Sequence, residues 1–319
     1  MSNHRFPAVL LPAILIALSA GSVQAQDFPT KPIRIVTAAA GGTGDFTTRT
    51  LARGITDSIG WTVVVENRPG GLAAIETAFK SPPDGYTLLV DSMAFLVGPL
   101  KPKLFYDMAV DFLPVAMLAS SPTVLIVHPS LGTKSVKDVV ALAKARPGEL
   151  NYSSTGIGGI AHLTAEMFKS MAGANIAHIP YKATAQALVE VISGQTQLMF
   201  VPTAPATPHI KSGRLRAVAV TGARPSLLLP GIPAVAETLP GFEATSLVGI
   251  FAPLKTPTPM VNRLNQEVVR ALAREDVRER YLSSGVEPAG STAGEFTAKI
   301  LSETAKWTKV VMDAGITAN

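Results

Sequence analysis

Short apolar runs alternate with amphipathic stretches along most of this chain, and few folds tolerate that alternation. Residues 33–37, 62–66, 87–90, 123–128, 151–153, 175–180, 197–201, 216–221 and 246–252 read as strands. Helical periodicity fills the intervals. In 46–59, Leu51, Ile55 and Ile59 recur four apart, and similar patterns cover 73–80, 136–145, 160–171, 184–193 and 206–212. Ser135 is placed to cap the helix 136–145, and Pro147-Gly148 ends it. Units of this kind build parallel sheets through right-handed crossovers, with helices on both faces. Three helices, 259–274, 276–284 and 293–315, then close the chain. One of them has to pack back on the first sheet or hang free.

A chain of 319 residues suggests two domains of about 120–170 residues each. The absence of cysteine excludes disulfides, thiol catalysis, Cys-ligated zinc and iron–sulfur clusters. The net charge of +5 raises nucleic acid as a partner, but the basic residues are not clustered. The densest stretch, 274–280, reads R-E-D-V-R-E-R with acids interleaved, so no nucleic acid is expected.

The first 25 residues read as a secretory signal peptide. Arg5 supplies the basic start, 8–19 the apolar region, and Val23-Gln24-Ala25 a small-residue cleavage site after Ala25. The apolar run is too short to span a bilayer and contains Pro12. Without a cysteine there is no lipid anchor. The expected product is soluble and periplasmic, and loss of Arg5 lowers its charge to +4.

No G-x-S-x-G, H-E-x-x-H or G-x-x-x-x-G-K-[ST] motif occurs. His128, His162, His178 and His209 fit no metal spacing, and no metal or cofactor is expected. Gly156-x-Gly158-x-x-Ala161 matches a dinucleotide fingerprint, but 176–182 lacks the acid that would hold a ribose. That loop still leads from a strand into a helix start, where free N–H groups and the dipole favour an anion. The loop 38–45, A-A-A-G-G-T-G-D, has the same design, with Asp45 placed to cap the helix. Read singly, each is as consistent with a plain tight turn. Together they read as two halves of one anion site, outside the carboxyl ends of the strands.

The chain resembles the tripartite tricarboxylate transporter substrate-binding proteins, the Bug or TctC-like family, over essentially its whole mature length. The resemblance rests on ordered landmarks: K-P-I-R-I-V at 31–36, V-V-E-N-R-P-G-G at 64–71, P-D-G-Y-T-L-L at 83–89, K-A-R-P-G-E-L-N-Y at 144–152, H-L-T-A-E-M-F-K at 162–169, H-I-P-Y-K at 178–182, P-H-I-K-S-G at 208–213, L-P-G-F-E at 239–243 and D-A-G-I at 313–316. It implies an α/β type II periplasmic binding protein, a two-lobed clamshell with doubly wound sheets and crossing hinge strands. One lobe would comprise 27–126 and 246–319, the other 127–245. It implies no enzyme, but a monomer that binds a small organic carboxylate and delivers it to membrane permease subunits. The same clamshell could instead present its ligand to a membrane sensor kinase; a periplasmic enzyme on this fold is the remote alternative.

By resemblance, the ligand is held by Ala39, Ala40, Gly41, Gly42, Thr43 and Asp45 in the first loop, and by Ser92. The second lobe would supply Ser154, Thr155, Gly156, Gly158, Gly159, His162, Tyr181, Lys182, Val201 and Thr203. Read from the residues alone, Lys182 is equally a surface lysine, and His162 could donate to a neighbouring carbonyl. Several positions that are polar in the family are apolar here: Gly159, Ile160 and Ala161 replace hydroxyl residues, and Val201-Pro202-Thr203 replaces an acid or amide. That shift points to an anion with an apolar body, aromatic or longer aliphatic, although drift away from the ligand would read the same.

Overall fold

The computed structural model describes residues 28–68, 72–91, 106–108 and 110–316. The signal segment 1–25 and Ser92 lie outside the described residues. In the first part of the chain, β1 (Ile33–Thr37), β2 (Val63–Asn67) and β3 (Thr87–Asp91) are parallel, with β1 central. They are joined by α1 (Thr43–Ile59) and α2 (Ala73–Phe79). The second part has β5 (Asn151–Ser154), β6 (Ala177–Pro180) and β7 (Leu198–Pro202), also parallel, joined by α4 (Ile160–Ala172) and α5 (Thr184–Ile192).

One strand unites the two. β4 (Phe112–Val127) pairs antiparallel with β9 (Thr245–Pro253) from Phe112 to Pro122. From Thr123 to Val127 it lies between β7 and β8 (Arg216–Val220), antiparallel to both. β9 in turn pairs with β3. The first sheet therefore runs β2-β1-β3-β9-β4 and the second β6-β5-β7-β4-β8, with β4 common to both. Sequence reading found only the second half of this strand. Pro114 and Pro122 break its pattern, and register shifts at 114–116 and 117–119 upset the alternation of faces.

The remaining elements cover these sheets: α3 (Val136–Ala145), α6 (Thr203–Lys211), α7 (Thr258–Leu272), α8 (Glu275–Ser283) and α9 (Ala293–Asp313). Ser135 caps α3 as expected, and reciprocal bonds with Asp138 complete a capping box. A short β10 (Glu287–Pro288) adds to the edge of β4 at Ala119–Ser120. One apolar cluster joins Leu51 and Ile55 of α1 to Leu264 and Val268 of α7, and to Tyr281 of α8. A second holds Val36, Phe112, Phe168, Phe200, Phe296 and Trp307, so α9 shares its core with α4 as well as with the first sheet. A third packs α5 and α6 on Val124, Ile126 and Val201. Among the described residues, no helix is long and apolar enough to cross a membrane.

Candidate functional site

Strand directions decide where the glycine loops go. β4 is antiparallel to β9, and β9 is antiparallel to β3, so β1 and β3 run in the same direction as β4. β7 is antiparallel to β4 and parallel to β5. The carboxyl end of β1 therefore points along β4 toward the second sheet, and that of β5 points back toward the first. The register carries Val36 through Leu89 and Phe251 to Pro114, and Ser153 through Met199 to Ile126. The loops 38–42 and 155–159 enter, from opposite directions, the gap that β4 crosses between those levels.

The first loop is exposed from Ala38 to Thr43. Gly42 is the N-cap of α1, extended at φ −82°, and no side chain caps it. α1 thus begins three residues before its apolar periodicity. Asp45 is not the N-cap; it sits two residues into the helix beyond Thr43 and reaches back. Its Oδ2 accepts from the Gly41 N–H at 2.9 Å, while Oδ1 accepts from Arg49 Nε and Asn67 Nδ2, each at 2.8 Å. Burial alone would raise the Asp45 carboxyl; the Gly41 amide, Asn67 and Arg49 outweigh it and hold its pKa below the ordinary value. Asp45 is buried and faces its own loop. Thr37 Oγ1, next to Gly44 in the same turn, is buried without a hydrogen bond among the described residues.

The second loop repeats this plan. Gly159 is the extended N-cap of α4, again with no capping side chain, and Gly158 has a positive φ of 78° like Gly41 at 82°. His162 stands at the position Asp45 occupies in α1. Its Nδ1 accepts from the Gly158 N–H at 3.0 Å. The alternative in which His162 donates to a neighbouring carbonyl is not borne out at Nδ1, which accepts the amide that the uncapped glycine start leaves within its reach. Ser154 is buried. Its hydroxyl donates to the Gly156 carbonyl at 3.1 Å and lies 2.6 Å from His178 Nε2.

Below the loop, three rings form a column. His162 and His178 stack at 4.2 Å, and His178 and Tyr152 at 4.7 Å. The Tyr152 hydroxyl donates to Glu166 at 2.6 Å, and Lys169 Nζ donates to the same oxygen at 2.7 Å. Burial, then the neighbouring His162 and Lys169, push His178 down to about 4, against the opposing pull of Glu166. Burial also lowers His162. Sixteen residues apart, these histidines gave no sign in the sequence that they meet; β5–β6 pairing and the first turn of α4 bring them together. No group of three or more His, Asp or Glu among the described residues could hold a metal ion.

The other expected residues are dispersed. Thr155 is exposed, and Ile157, which sequence reading passed over, is 63% exposed at the tip of the second loop. Thr203 opens α6 directly after β7, at the level where β4 changes partners. Val201 is enclosed in the core with Val124 and Ile126, so its side chain offers no surface to a ligand. Tyr181 packs on that same cluster beside Glu190. Lys182 is exposed. A cavity of about 630 Å³ lies outside the gap, between the second half of α4 and the residues after it, from Glu166 to Asn175, and the end of α9, from Lys306 to Ala314. Its lining begins at Glu166 and Lys169, beneath the ring column, so at 1.5 Å per residue its near edge is about 10 Å along α4 from the glycine loop.

The sequence matches the family described as "Tripartite tricarboxylate transporter family receptor" over residues 47–316. It is 35% identical to Protein BugT of Bordetella pertussis, over 99% of both chains. Among solved structures, R. palustris Rpa4515 with adipate superposes with a TM-score of 0.70 at 32% identity, covering 91% of this chain and 99% of that one. MatC (Rpa3494) from Rhodopseudomonas palustris with bound malate gives 0.66 at 27% identity, covering 89% and 100%. The two-lobed periplasmic-binding-protein fold is common to them. The chain belongs to the tripartite tricarboxylate transporter receptor family, whose members are periplasmic solute-binding proteins and not enzymes.

Proposed function

We propose that this protein captures a small organic carboxylate in the gap between its lobes and delivers it to the permease subunits of a tripartite tricarboxylate-type transporter. The observation that carries this reading is the pair of helix starts aimed at one gap, each with a glycine N-cap and no capping side chain. The first-turn amides of α1 and α4 are left to a ligand, at the positive ends of two dipoles. The lobes are 27–126 with 246–319, and 127–245. The hinge reading draws on β4, which changes partners after Pro122, and on β9, whose pairing with β4 begins beside it at Thr245.

Exposed Phe46 and Ile157 beside the loops suit a ligand with an apolar body. The adipate bound by the R. palustris relative is a longer aliphatic diacid. The ligand is thus an aromatic or longer aliphatic carboxylate. Isothermal titration with adipate, benzoate, malate and citrate tests this: adipate or benzoate should bind at least tenfold more tightly than citrate. Tight citrate binding alone would sink the apolar-body reading, and no binding of any acid would sink carboxylate capture. The protein acts as a periplasmic monomer after cleavage behind Ala25, so N-terminal sequencing of exported material should begin at Gln26. Deleting the gene should abolish uptake of the acid; loss of induction alone would identify a sensor-kinase partner instead.

A further inference from the structure

The two loop–helix junctions are built alike but carry different charges. In each, a glycine of positive φ precedes an extended glycine N-cap, and a side chain three residues past the cap accepts the first glycine's N–H. In α1 that acceptor is a carboxylate, with Arg49 at 2.8 Å as counter-ion. In α4 it is an imidazole. We infer that His162 is the positioning residue of the second loop, the uncharged counterpart of Asp45, and that His178 works with it by turning the Gly156 carbonyl inward. The inference rests on the carboxylate-binding reading above.

His162 Nδ1 accepts an N–H, so that nitrogen is bare and the proton is on Nε2. Nε2 faces Glu166, 3.9 Å away. Ser154 has one proton and gives it to the Gly156 carbonyl, so His178 Nε2 must be the donor to the Ser154 oxygen. A chain thus runs from His178 through Ser154 to Gly156 and holds that carbonyl back. A carbonyl facing the gap would repel a carboxylate; an amide attracts one. The groups packed around the two histidines are Tyr152 and Ser154 from β5 and Glu166 and Lys169 from α4. Lys169 and Tyr152 hold Glu166 ionised, and an ionised Glu166 favours the Nε2–H form of His162. An uncharged tether anchors the loop without adding a negative charge beside the anion.

Three variants separate tethering from packing. In His162→Asn, Oδ1 takes the place of Nδ1; the Gly158 amide should stay protected from hydrogen exchange, and adipate affinity should change less than about threefold. His162→Phe keeps a ring in the stack but removes the acceptor. Gly158 exchange and the adipate Kd should each rise about tenfold, the cost of roughly one hydrogen bond. His162→Asp should keep Gly158 protected yet weaken adipate about tenfold through its charge. Nitrogen-15 spectra of the wild-type histidines should show both protonated at Nε2. An Nδ1–H form of His162, equal Gly158 exchange in the Asn and Phe variants, or unweakened adipate binding by the Asp variant would overturn the inference. Should the Phe variant fail to fold, the Asn and Asp variants and the wild-type tautomer decide it. Should wild type bind no adipate, capture of that acid fails, while Gly158 exchange and the tautomer still judge the tether.

Discussion

Asp45 shows how much one carboxylate can organise. Its two oxygens serve a loop amide, an arginine and an asparagine on β2, and all three partners are donors. An amide in its place must present a donor to at least one of them. Asp45→Asn is therefore expected to be nearly as damaging as Asp45→Ala, each costing about 1–3 kcal/mol in urea unfolding. A smaller loss for Asn than for Ala by more than half would show that one oxygen does most of the work. The spacing of Asp45 from Gly41-Gly42 was legible in the sequence as a helix-start signal. Its role as a tether rather than a cap was not, because that depends on Gly42 taking the cap position and on Asn67 arriving from another strand.

At the scale of elements, β9 and α9 meet at a glycine. A Cβ added at Gly249 would lie 2.1 Å from the Phe296 ring, which is itself fully buried. Gly249→Ala should cost about 2 kcal/mol or more through overpacking, read as a lowered melting temperature; an unchanged midpoint would mean that α9 can shift freely. The start of α9 is held by a capping box in which Thr292 Oγ1 accepts from the Glu295 N–H at 3.1 Å and Glu295 accepts from the Thr292 N–H at 2.9 Å. Thr292→Ala should cost about 1 kcal/mol in the same assay. α9 is more than a cover for the first sheet. Lys299 pairs with Glu243 at 2.6 Å, and Lys306 donates to the Glu243 carbonyl at 2.7 Å, tying the last helix to the segment that leads into β9.

Across the whole molecule, acidification acts through two sets of groups. His178, held near 4, and His162, also lowered, are neutral in the folded protein at pH values where the unfolded chain, near 6.5, takes up protons. The unfolded state then binds more protons, so stability rises with pH across that interval. Thermal scans should show a plateau above about pH 6.5 and a decline toward pH 4, and His178→Asn should flatten that decline. Asp45 and Glu166, both lowered, are stabilising above the ordinary carboxylate range, and that contribution is lost as pH falls through their folded-state values. Stability unchanged between pH 7 and pH 4.5 would contradict the buried, neutral state of the histidine stack.

The sequence by itself determined the α/β alternation, the capped start of α3, the two glycine loops and the family, because each depends on residues close together in the chain. Residues 112–122 were hidden in it: two prolines and two register shifts mask a strand whose pairing comes from β9, more than 120 residues later. The tertiary structure alone decided that the two loops enter one gap, since strand direction is inherited through β9 and β4 rather than written locally. It alone turned Val201 into the core and set His162 on His178. Periodicity tells a residue which element it joins; only the path of the chain through both sheets decides what that residue meets there.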